Sequence, residues 1–167
     1  MRHAGSMALC IDKITGSRER NPMGNCLKVG ILGAGNIAGS MAEALNELQK
    51  EGKACAYAVA SRSQEKALEF ARKWNITRAY SSYEELASDP EVDLIYIATP
   101  HSLHYEQAKL CMEHGKNVLV EKAFTANARQ AEELFAMAEE KKVFITEAIW
   151  TRYMPSREII TGLLREG

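Results

Sequence analysis

The chain has 167 residues, 46% of them hydrophobic and 26% charged, with a formal net charge of −1. That length and balance suit one soluble globular core and fall short of two full domains. A near-neutral charge without a basic stripe gives no electrostatic footprint for nucleic acid, and no apolar run approaches the ~20 residues that cross a bilayer.

The cysteines Cys10, Cys26, Cys55 and Cys111 are scattered with no C-x-x-C spacing. They point away from a metal site or a disulfide framework and toward reduced thiols in a cytoplasmic setting. Residues 1–25 lack strand or helix periodicity, carry Gly, Ser, Arg and Pro, and contain no apolar core of a secretory signal. They read as a disordered extension. The folded part is expected over residues 26–150.

It opens on Lys28-Val29-Gly30-Ile31-Leu32, an apolar run with the character of a buried parallel strand. The run breaks on Gly33 and Gly35 and continues into a helix, with Ile37, Met41, Leu45 and Leu48 recurring at helical spacing. Strand, glycine turn and helix are the context that gives a G-x-G-x-x-G/A match its meaning as a dinucleotide fingerprint. Gly33 makes the tight turn, Gly35 lets the backbone approach a pyrophosphate, and Ala38 beside Gly39 lets helix and strand lie close. Ala34, Asn36 and Ile37 complete the turn, whose free N–H groups and partial positive charge face the phosphates. A glycine-rich strand–helix turn with no ligand is the competing reading.

The second strand is expected over residues 54–60. Where an NAD-preferring unit places an acid for the ribose 2′-hydroxyl, this chain has Ser61-Arg62-Ser63. A planar, permanently charged guanidinium at Arg62 can stack on adenine and pair with a 2′-phosphate, so NADP is the expected cofactor, with NAD as the alternative. The other reading of Arg62 is an exposed arginine before a helix. That helix spans 64–74, with Ala67, Phe70, Ala71 and Trp74 on one face. Ser82-Tyr83-Glu84-Glu85 has capping-box spacing and starts a short helix.

A further strand is expected over 92–98, closed by Thr99-Pro100. Its carboxyl end, with Ala98, Thr99 and Pro100, is placed to pass beside the nicotinamide ribose. His101 and His104 are either polar neighbours of that ribose or residues that simply start the helix 104–115. Strand 117–120 ends in Glu121-Lys122-Ala123, again on the ligand side. The next helix has Ala131, Leu134, Phe135 and Ala138 as its inner stripe, and Val143-Phe144-Ile145 supplies a last strand. Residues 151–167 read as a linker helix with Ile159, Ile160 and Leu163 inward. The strand–helix alternation predicts an α/β doubly wound parallel sheet, an NAD(P)-binding Rossmann fold.

Four separated stretches carry a resemblance. They are Gly33-Ala34-Gly35-Asn36-Ile37-Ala38, Ala98-Thr99-Pro100-His101-x-x-His104, Glu121-Lys122-Ala123-Phe124-Thr125, and Glu147-Ala148-Ile149-Trp150-Thr151-Arg152-Tyr153-Met154-Pro155. In this order they resemble the N-terminal domain of the glucose–fructose oxidoreductase / inositol dehydrogenase (Gfo/Idh/MocA) family, and the last two are most similar to its dihydrodiol dehydrogenase branch. The resemblance implies an NAD(P)-dependent oxidoreductase that moves hydride between nicotinamide and a sugar, polyol or vicinal diol.

It implies a catalytic Lys122, partly desolvated beside the nicotinamide, with its ammonium on the substrate's reacting oxygen to stabilise alkoxide charge and relay a proton. Ala123 stands where many members have proline. Trp150 and Arg152 resemble residues that line the cofactor, although Trp150 fits core packing equally well. The family's second α/β domain, which covers the nicotinamide, contacts substrate and makes the homo-oligomer interface, is absent from this sequence. The chain is therefore expected to be a cofactor-binding half of low activity alone. A different class is represented by repressor-type members, which bind the cofactor without consuming it; a non-catalytic dinucleotide-binding module or redox sensor is the alternative.

Overall fold

A computed structural model describes residues 26–149 and 155–166. The expected extension over 1–25 lies outside the described residues. Six parallel strands form one sheet: β1 (Leu27–Leu32), β2 (Ala54–Ala60), β3 (Arg78–Tyr80), β4 (Leu94–Ile97), β5 (Asn117–Val120) and β6 (Ile145–Glu147), in the spatial order β3-β2-β1-β4-β5-β6. The central strands are aliphatic because both faces of the sheet are covered. In β4, Leu94 and Tyr96 pack on one side, and Ile95 and Ile97 on the other.

The helices divide between those two faces. Helix α1 (Asn36–Lys50) buries Ala38, Met41, Ala42, Leu45 and Leu48, and α2 (Gln64–Trp74) buries Ala67, Phe70 and Ala71. Both lie on the face that holds Val29, Ile31 and Tyr96. Helices α3 (Tyr83–Ser88), α4 (His104–Glu113) and α5 (Ala128–Lys141) cover the other face, around Leu32, Ile95, Ile97 and Val120. A doubly wound fold is the result.

Local chemistry sets the boundaries. Ser63 caps α2, its hydroxyl accepting from the Lys66 N–H at 3.4 Å, and the helix stops at Asn75 in the left-handed conformation, φ 56°. Ser82 and Glu85 form the expected capping box on α3. Asn127 caps α5 by accepting from the Gln130 N–H at 3.0 Å.

One strand is added to the expected elements and four expectations are corrected. Strand β3 was not anticipated, because three residues with Arg78 exposed carry too short a pattern. The last strand begins at Ile145: the Val143 N–H donates to Ala138 O at 3.0 Å and closes α5, while Phe144 leads into the strand, its N–H donating to the Asn117 side chain at 3.0 Å and its carbonyl accepting from the Val118 N–H at 2.8 Å. Ile37, in the first turn of α1, is exposed. Phe135 is also exposed and stacks on Phe124, ring centroids 5.3 Å apart, while Leu134 and Ala138 fill the core. In α6 (Pro155–Glu166), Ile159, Ile160 and Leu163 are exposed, not inward.

Candidate functional site

The carboxyl ends of the strands are aligned by backbone hydrogen bonds. The Gly33 N–H donates to Ala60 O at 2.9 Å, Ala98 to Leu32 O at 2.8 Å, Glu121 to Ile97 O at 3.0 Å and Ala148 to Val120 O at 2.7 Å. Gly33, Ser61, Ala98 and Glu121 therefore stand along one edge. The strand order reverses between β1 and β4, and open α/β sheets bind ligands in the crevice at such a point.

Gly33 has φ +103°, and a Cβ there would lie 2.9 Å from Ala98 O. Conformation and space both require glycine. Around Gly35 nothing lies within 4 Å of a would-be Cβ. Gly35 is the N-cap of α1 and brings no side-chain cap, and the first turn holds no acid. Asn36 and Ile37 are exposed there, and Ala34 is half-buried. Uncapped N–H groups, an open approach and a first turn without carboxylates are what a phosphate needs, and the acids of the adjoining cleft, Glu43 and Glu69, lie further along the helices. Ala38 is fully buried against the sheet as expected. Gly39 has a different partner from the one expected: a Cβ there would sit 3.3 Å from the Trp74 ring, so it makes room for α2.

Beside this turn, α1 and α2 border an open cleft of about 560 Å³ whose walls include Gly35, Asn36, Lys66, Lys73 and Trp74. Among the described residues the buried Trp74 indole N–H has no hydrogen-bond partner. Ser61 and the exposed Arg62 follow β2 at the start of the same layer. Lys66 was missed from the sequence, where it reads as one more solvated helical lysine; only the packing of α2 against α1 brings it to the cleft.

On the other side of the switch point, Ala98 and Thr99 are buried and Pro100 is exposed. The Thr99 hydroxyl donates to the Gln107 side-chain oxygen. The turn carrying Lys122 has several anchors. The Tyr96 hydroxyl, buried in β4, donates to Glu121 Oε1, and Glu121 Oε2 accepts from the Lys122 N–H at 3.2 Å. Burial, then the Glu121 carboxylate, holds the Tyr96 hydroxyl well above the ordinary tyrosine range, so it stays a donor. The Phe124 N–H donates to Glu147 Oε1 at 2.8 Å. Tyr96 and Glu147 were not singled out from the sequence. A lone tyrosine in an aliphatic central strand is the signal that could have found the first.

Lys122 is exposed and makes no ion pair among the described residues. The expected partial desolvation is thus not seen in this chain. His104 is corrected too. It starts α4 but is fully buried, with Nδ1 2.8 Å from Ala123 O and Nε2 2.9 Å from Thr99 O, so it offers no surface to a ribose. His101, exposed, lies edge-on to it. Trp150 and Arg152 lie outside the described residues. Among the described residues no group of three His, Cys, Asp or Glu is arranged to hold a metal ion, and no helix is long and apolar enough to cross a membrane. Cys26, Cys55 and Cys111 are free, and burial pushes the Cys111 thiol up to about 12.

A family model described as "Oxidoreductase family, NAD-binding Rossmann fold" (GFO_IDH_MocA) matches residues 27–148, most of the chain. The chain belongs to the Gfo/Idh/MocA oxidoreductase family. Its NAD(P)-binding Rossmann domain is the one described above. This Gfo/Idh/MocA chain is 42% identical over 139 residues to the trans-1,2-dihydrobenzene-1,2-diol dehydrogenase of Xenopus tropicalis, covering 83% of itself and 42% of that protein. It is 40% identical over 150 residues to the D-xylose 1-dehydrogenase (NADP(+)) of Hypocrea jecorina, covering 84% of itself and 38% of that protein. Among solved structures, a 3-ketoreductase from Actinomadura kijaniata in complex with NADP is similar with a TM-score of 0.76 at 31% identity, over 86% of this chain and 45% of that one. The chain thus spans less than half the length of these relatives.

Proposed function

We propose that this chain is the cofactor half of an NADP-dependent dehydrogenase acting on a sugar, polyol or vicinal diol, with Lys122 as its catalytic residue. The observation that carries the reading is the placement of Lys122: exposed at the same sheet edge as Gly33, across the switch point from the glycine turn. The turn over Gly33, Ala34, Gly35, Asn36 and Ile37 receives the pyrophosphate on N–H groups that nothing else caps. Ser61 and Arg62, with Lys66 at the neighbouring cleft, take the 2′-phosphate. Ala98, Thr99 and Pro100 flank the nicotinamide ribose, with Glu121 next to them and Trp150 and Arg152 from the segment beyond β6.

When bound, the nicotinamide supplies or takes up the hydride. The chain's own residues do the rest. Lys122 Nζ donates to the reacting oxygen of the substrate, holds the alkoxide charge and passes the proton. Glu121 orients the backbone of that lysine through its N–H. The similarity to a dihydrodiol dehydrogenase and a xylose dehydrogenase supports the substrate class. The full-length protein works as a cytoplasmic homo-oligomer in this reading.

The test is a thermal-stability titration of the chain with NADPH and NADH. A ligand that binds only the folded state adds RT ln(1 + [L]/Kd), about 2.7 kcal/mol at a ligand concentration of 100 Kd. A rise with NADPH larger than with NADH is expected; no rise with either overturns the reading. A full-length protein that binds NADPH yet oxidises no diol or sugar would be a sensor. In that protein Lys122→Met should leave the NADPH response in place and lower turnover at least a hundredfold, in line with the size of general acid–base contributions.

A further inference from the structure

We infer that His104 is a positioning residue which carries a hydrogen on both ring nitrogens and so fastens together the two loops flanking the nucleotide crevice. Its Nδ1 lies 2.8 Å from Ala123 O and its Nε2 2.9 Å from Thr99 O. Both partners are backbone carbonyls, which only accept. A neutral imidazole has one N–H, so it would satisfy one carbonyl and turn a lone pair on the other. The ring is fully buried, as is its contact with the Thr99 carbonyl, while Ala123 stands on an exposed turn. Only the ring with two hydrogens, a cation, satisfies both carbonyls.

The two carbonyls belong to different strand ends. Thr99 follows β4 and Ala123 follows β5, adjacent strands on one side of the switch point. The Thr99 hydroxyl, donating to the Gln107 side chain, ties that loop to α4. Ala123 directly follows Lys122. On either side of Ala123, the Glu121 and Glu147 carboxylates accept from the Lys122 and Phe124 N–H groups, which puts two acidic groups on the turn that receives the imidazolium. The first residue of α4 thereby sets the distance between the Thr99–Pro100 loop and the lysine turn. Its effect on nucleotide rests on the dinucleotide reading above; its two hydrogens do not.

The experiment has two arms. In the first, nitrogen NMR of the histidine-labelled chain should show both His104 ring nitrogens bearing hydrogen. A lone-pair nitrogen on that ring overturns the inference. In the second, NADPH is titrated into the wild-type chain, His104→Gln, which keeps one donor, and His104→Leu, which keeps none. Expected Kd increases are about threefold and about tenfold, the range for one and two lost buried hydrogen bonds. Folded variants that bind NADPH as the wild type does overturn the positioning role alone. A wild-type chain that fails to bind NADPH overturns that role together with the dinucleotide reading, while the ring spectrum still judges the two hydrogens. Should His104→Leu not fold, the spectrum and His104→Gln decide.

Discussion

At Gly33 the backbone is left-handed and the Ala98 carbonyl occupies the space that any side chain would need. The alanine variant therefore meets strain and collision together, and the glycine turn moves away from β4. Arg62 is the opposite kind of residue. It is exposed and makes no hydrogen bond or ion pair among the described residues, so its role is judged by ligand binding. Replacement by alanine should weaken NADPH binding about tenfold to a hundredfold and leave NADH nearly unchanged, because a charge-assisted pair to the 2′-phosphate is lost. Equal losses for both nucleotides, measured by fluorescence titration, would count against the 2′-phosphate assignment. Lys66 was invisible in the sequence because a lysine on an exposed helix face is ordinary; it acquires meaning only from the neighbouring helix.

Among the elements, those with strong local signals matched the sequence closely. Helix α2 runs over the residues its apolar spacing indicates, and α3 begins at its capping box. Ser82→Ala should remove one cap bond and lower stability by about 1 kcal/mol, read as a fall in the urea midpoint with unchanged slope. Strand β3 and the true start of β6 were not legible. Three-residue strands carry no periodicity, and where β6 starts depends on distant partners: Ala138 takes the Val143 N–H, and the Asn117 side chain takes the Phe144 N–H. Phe135 shows the same limit. Its helical position is core-like, yet its partner is Phe124 at the surface.

For the molecule as a whole, the two apolar layers on either side of the sheet supply the stability, and the burial of Lys116 works against it. Lys116 is buried, with Nζ donating to Asp89 O at 2.5 Å and Val92 O at 2.9 Å. Burial lowers its pKa below 10.5, more than Asp89 and Asp93 restore. Between its folded value and 10.5 the unfolded chain binds more protons, so this lysine's contribution to stability rises with pH through that window. Comparing wild type with Lys116→Met by urea unfolding at a series of pH values should isolate that rise, since other titrating groups are common to both. Wild type and variant that change in parallel would mean that Lys116 does not titrate differently on folding.

By itself the sequence determined the fold class, the glycine turn and the capping box at Ser82. Each is written in residues close together along the chain: a β-run, two glycines, a helical stripe, a serine three residues before a glutamate. The tertiary structure decided what required distant partners. It settled His104, open between ribose neighbour and helix start, as the buried first residue of α4 bridging Thr99 and Ala123, set Tyr96 on Glu121, gave Gly39 to Trp74, and turned Ile159, Ile160 and Leu163 outward. Periodicity says which residues share a face of an element. Only packing says what that face meets.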